Sequence, residues 1–99
     1  MRPEFSAFDV PVSVASGAPK IVDRHADHSF QVTGTFVATL HIEGSNDGVV
    51  WVPIFSGITA PSTTMLYKEA TVKMMRVRVS AFTSGIPAVH WGGFDMRGS

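Results

Sequence analysis

The chain has no cysteine, so neither a disulfide nor a thiolate metal centre can hold it together. It is also poor in charge. Asp, Glu, Lys and Arg make up 16% of its 99 residues, against about 25% in an ordinary domain. Eight acidic and eight basic residues cancel to a formal net charge of zero. That balance argues against the basic face on which nucleic-acid binding depends, and no nucleic-acid partner is expected. Arg76 and Arg78 form a close basic pair that a strand would place on one face. No apolar run approaches the ~20 residues of a membrane span, so no membrane partner is expected. The start Met1-Arg2-Pro3-Glu4-Phe5 lacks the apolar run of a signal peptide, and the chain reads as soluble without an export address.

Catalytic machinery is equally scarce. The acidic residues are scattered, which leaves no paired carboxylates for acid–base work. No G-x-S-x-G elbow frames a serine nucleophile. No catalytic residue, enzyme activity or cofactor is expected.

What remains is a chain of single-domain length, 44% apolar. A domain this small, with no disulfide, often draws stability from partner subunits. A sparsely charged surface points the same way.

The apolar residues recur with period two. Phe8, Val10, Val12 and Val14 alternate with Asp9, Pro11 and Ser13, which predicts an edge strand over residues 8–14. Residues 21–29 read as a polar loop, with a short strand at Ile21-Val22. Phe30 and Val32 begin a second strand that ends at Gly34. The clearest pattern follows: Phe36, Ala38, Leu40 and Ile42 face one way, and Thr35, Val37, Thr39, His41 and Glu43 the other. Gly44-Ser45-Asn46-Asp47-Gly48 then supplies turn chemistry, and residues 49–55 return as a strand apolar on both faces. A short strand is expected near Met65-Leu66-Tyr67. A longer one is expected over residues 71–82, with a bulge near Lys73-Met74, and a last one over 88–91, loosened by Gly92-Gly93. No segment carries a helical stripe. The expected fold is an all-β antiparallel sandwich or jelly roll of about seven to eight strands. Residues 1–15 are an N-terminal arm and first strand, 16–95 the sandwich core and 96–99 a C-terminal tail.

Three groups of residues carry recognisable chemistry. His25, Asp27 and His28 offer metal-ligand types. A structural zinc needs four ligands, and no second motif completes the set, so the plainer reading is a solvated loop and no metal is assigned. Glu43, Ser45, Asn46 and Asp47 offer hard oxygens for calcium, but the order of residues fits a self-capped turn better. Trp51, Tyr67, Trp91 and Phe94 are candidates for stacking on sugar rings, with the alternative that the tryptophans are core.

The run from Phe30 through Glu43-Gly44-Ser45-Asn46-Asp47-Gly48 to Trp51 resembles a hairpin in small β-sandwich virion proteins of tailed bacteriophages. The later Arg76-Val77-Arg78-Val79-Ser80 resembles the alternating strand that accompanies it. This resemblance implies a structural role on a phage particle, in the virion and made in the host cytoplasm. It implies a capsid decoration, head-fibre or tail module that works as a homo-oligomer, a trimer being favoured, against the major capsid protein or other virion proteins. Phe5, Phe8, Val50, Val52, Ile54 and Trp91 are the candidate contacts, and residues 1–8 the candidate docking arm. The alternative is a carbohydrate-binding module using Trp51, Tyr67 and Trp91.

Overall fold

The computed structural model describes residues 2–95. Met1 of the expected arm and the tail at 96–99 lie outside the described residues. Nine strands follow one another: β1 (Arg2–Ala7), β2 (Ala15–Ser16), β3 (Lys20–Ile21), β4 (His25–Thr33), β5 (Phe36–Ser45), β6 (Val52–Ile58), β7 (Leu66–Lys68), β8 (Met74–Gly85) and β9 (Ala88–Asp95). No helix occurs among the described residues.

The strands form two sheets, one ordered β1-β9-β4-β7 and the other β2-β8-β5-β6, with β3 also on β8. Every pairing is antiparallel. Because β2 and β3 both pair with β8, they act as one interrupted strand. Counted so, the first of eight strands pairs with the eighth, the second with the seventh, the third with the sixth and the fourth with the fifth. This is a jelly roll, a long hairpin rolled on itself, and the β5–β6 connection is its bend.

Alternation explains the core. Phe36, Ala38, Leu40 and Ile42 of β5 and Met75, Val77 and Val79 of β8 face inward, as their spacing predicts. Phe30 and Val32 of β4 and Val89 and Trp91 of β9 close over them from the other sheet. Each large apolar side chain buried there contributes about 1.5–3 kcal/mol by leaving water.

Four expectations need correction. Residues 8–14 form no strand; they cross from one sheet to the other, with Phe8 buried against Phe30 at a ring separation of 6.2 Å. Residues 25–29 are not loop but the first half of β4, where a bulge between Ala26 and Ser29 shifts the register and Asp27 takes φ 55°. That extra residue turns both His25 and His28 inward, a spacing of three that no alternation would reveal. β8 begins at Met74, so Lys73 precedes it, and the irregularities in its pairing fall opposite residues 37–40 instead. Gly92 and Gly93 do not loosen the last strand but lie within β9. A Cβ at Gly93 would stand 2.7 Å from the Trp91 ring, so the glycine makes room for the indole.

Candidate functional site

The expected docking arm is built into the sheet. β1 pairs with β9 along its length, from Arg2 opposite Asp95 to Ala7 opposite His90. Phe5 remains exposed on the outer face, but Phe8 is core and is no contact residue. Trp91 is 4% exposed. It serves neither as a contact nor as a sugar platform, because its indole fills the space between the sheets. Its Nε1–H donates to His28 Nδ1 at 3.1 Å.

That bond also settles His28. With Nδ1 accepting, Nε2–H is left to donate to the Ala70 carbonyl at 3.2 Å. Both ring nitrogens are used and the ring is neutral. Burial lowers its pKa most; the Ala70 carbonyl opposes this, His25 adds to it and Asp27 opposes it. His25, Asp27 and His28 therefore do not converge on a metal, since Asp27 faces solvent and His28 is fully bonded. His25 meets different partners. Its Nε2 lies 2.5 Å from Glu4 Oε2, and Glu4, His25 and Asp95 place their donor atoms within 4.8 Å of one another. Arg24 already brings a cation to this group, its Nε donating to Asp95 Oδ2 at 3.0 Å, and it lies 3.9 Å from Glu4. The cluster ties β1, β4 and the end of β9 together by charge pairing.

The hairpin tip is self-capped. Asp47 Oδ1 accepts from the Ser45 hydroxyl at 3.0 Å and from the backbone N–H groups of Val49 and Val50 at 2.8 and 2.9 Å. Those bonds, from Val49, Val50 and then Ser45, hold the Asp47 carboxyl below its usual range. Ser45 Oγ accepts from Gly48 N at 2.9 Å, and Asn46 Oδ1 from Lys73 N at 2.9 Å. Gly48 supplies the positive φ of 75° that the turn requires. These side chains are occupied in holding the turn. Beside the exposed Asn46 and Asp47, the tip displays apolar side chains: Val49 and Val50 are 79% and 63% exposed, and Val52 follows them into solvent. Val50, Val52 and Val72, with Asn46 and Asp47, border a shallow groove of about 310 Å³. Ile54, another contact candidate, is half-buried and packs on the core, against Gly44.

Glu43 is not part of the tip. It lies on the outer face of the five-stranded sheet, buried between Arg76 Nε at 2.9 Å and Arg78 Nε at 2.8 Å. Burial alone would raise its carboxyl, but hydrogen bonds from Arg78 and Arg76, and then their charges, outweigh it and hold the pKa low. Trp51 stacks its ring 4.2 Å from the Arg76 guanidinium. Beside them His41 Nε2 meets Ser80 Oγ at 2.8 Å. Trp51 and Tyr67 are thus on opposite sheets, and the three-aromatic platform of Trp51, Tyr67 and Trp91 is not assembled. Sequence reasoning missed the Glu43 clamp, although the facing Arg76 and Arg78 were its visible half.

The comparisons with known proteins bear on the fold. The chain matches a solved structure described as SPBc2 prophage-derived protein YomS. The TM-score is 0.70 at 8% identity, over 94% of this chain and 95% of that one. The likeness is one of fold. No known family's sequence signature matches the chain, and no curated protein matches it in sequence.

Proposed function

We propose that this chain is a non-enzymatic structural protein of a bacteriophage particle, an oligomeric decoration protein that binds and stabilises the capsid. The observation that carries this reading is the hairpin tip. Its polar groups bond one another, so the loop is ordered before any partner arrives, and binding there loses little conformational entropy. Its valines are nevertheless in water, where burial against a partner is favourable. A rigid, apolar projection at the bend of a jelly roll suits docking rather than catalysis.

Two further facts support it. The tip falls within the segment that resembles phage virion hairpins, and a prophage-derived protein shares the fold. Self-association through the tip, with a trimer favoured, would let several modest contacts act together by avidity on a repeating shell. The partners are then further copies of this chain and the major capsid protein, at the surface of the virion.

Cryo-electron microscopy of the native particle tests the reading. Jelly-roll density on the head, in oligomers joined through their tips, is the expected result. Density on the tail or baseplate would replace decoration by a tail role. A particle lacking the chain would overturn both.

A further inference from the structure

The outer face of the four-stranded sheet carries a cross-strand row that no charge interrupts. Phe5 of β1 stands opposite Gly92 of β9, Gly92 opposite Ser29 of β4, and Ser29 opposite Tyr67 of β7. Phe5 and Tyr67 are 79% and 69% exposed. Three strand spacings separate them, about 14 Å. Between them the floor has no side chain at Gly92. A Cβ there would stand 2.9 Å from the Ser29 hydroxyl and 3.0 Å from the Phe5 ring, so the ring lies down against the glycine. The next row carries Gln31 opposite His90. Phe5, Gly92, Ser29, Gln31 and His90, with Met65, line a trough of about 510 Å³ that no Asp, Glu, Lys or Arg lines, and Tyr67 stands beyond it in the same cross-strand row.

We propose that this trough binds a neutral carbohydrate, a short oligosaccharide lying across the strands from Phe5 to Tyr67. The volume falls in the range of small-ligand sites. Sugar rings present C–H faces and a rim of hydroxyls that both donate and accept. The trough and its border offer the complement: the exposed Phe5 ring at one end, the Tyr67 ring beyond Ser29 on the neighbouring strand, and between them the Ser29 hydroxyl and Gln31 amide, each able to donate and accept. His90 Nε2, 3.1 Å from Thr33 Oγ1, lies beside them. An anionic ligand would find no cation here, and a protein surface of ordinary charge would have to desolvate its ionic groups without partners. The proposal is independent of the virion reading. It differs from the platform of Trp51, Tyr67 and Trp91, because Tyr67 works with Phe5 and neither indole takes part.

Titration of the ¹⁵N-labelled chain with chitotriose, maltotriose and cellotriose, followed by NMR, tests it. At least one should shift the amides of Ser29, Gln31 and Gly92 and leave those of Glu43 and Val77, on the other sheet, unmoved. Tyr67→Ala should weaken that binding about tenfold, and Tyr67→Phe, which keeps the ring, should stay within about threefold of the parent. Dispersed spectra of both variants establish that they fold. No shift with any of the three sugars at about 10 mM would overturn the proposal. So would equal binding by Tyr67→Ala and the parent, or sugar-induced shifts confined to other regions.

Discussion

The outer faces of the two sheets are built on opposite plans. On the five-stranded sheet, Glu43, Arg76, Arg78 and Trp51 bind one another, and His41 is paired with Ser80. That face has spent its polar groups on itself. On the four-stranded sheet, Phe5 and Tyr67 stand in water above an uncharged floor of Ser29, Gln31 and Gly92. Six of the chain's sixteen charged residues hold structure in two groups, the Glu43 clamp and the Arg24–Glu4–Asp95 cluster. The trough, which no charged side chain lines, and the exposed valines of the tip are left open to recognition.

Substitutions can break this contrast. The largest effect is expected at Glu43. Glu43→Ala leaves two facing guanidinium groups without their acceptor. Loss of one partner from a buried ion pair costs about 3–5 kcal/mol, and because the Arg76 and Arg78 side chains are 23% and 38% exposed, about 2–3 kcal/mol is expected here. Urea denaturation measures it, and a loss below about 0.5 kcal/mol would show that the clamp is not structural.

A pH dependence comes next. The pKa of His28 is lowered in the folded state, so below the ordinary histidine value the unfolded chain binds the proton first. The stability this group confers is present above about pH 6.5 and is lost as pH falls through that value toward its folded pKa. His41, lowered by burial and by Arg78, acts in the same direction. Melting temperature should therefore drop between about pH 7.5 and pH 5.5, and His28→Gln should flatten the slope. At lower pH a second loss follows at Glu43, whose pKa is also lowered: it sets in at the ordinary glutamate value, where the unfolded chain binds the proton first, and runs down toward the folded pKa.

Trp51→Ala removes only the stacking on Arg76 and should cost about 0.5–1 kcal/mol. Tyr67→Ala, on the open face, should change stability by less than about 0.5 kcal/mol in the same denaturation experiment. A larger loss there would mean that Tyr67 belongs to the folding core and that the contrast between the faces fails.

How far the sequence discloses this molecule depends on how local the cause is. The inward set Phe36, Ala38, Leu40 and Ile42 is legible because β5 alternates cleanly and its neighbours are threonine and valine. β1 is hidden, because Arg2, Pro3, Glu4 and Ser6 give an edge strand no apolar rhythm. The first half of β4 is hidden twice over, since its inward residues are histidines and a bulge spoils their spacing. The partner-dependent features are the least legible. Glu43 looks like part of an acidic turn until residues 33 and 35 positions away close on it. Trp91 reads as either core or contact until His28, 63 positions away, accepts its N–H. The Phe5–Gly92–Ser29–Tyr67 row exists only once four strands are in register.

The claim at the centre of this account is that the self-capped tip displays Val49, Val50 and Val52 for association. Light scattering on the purified chain at about 10 μM, beside Val50→Asp, tests it most directly. The Asp47 bond to residue 50 uses the backbone N–H, so the substitution leaves the turn intact. The account predicts a wild-type mass that is a multiple of 10.7 kDa and a monomeric variant. A wild-type chain that runs as a 10.7 kDa monomer, or a variant that associates as well as the parent, would contradict it.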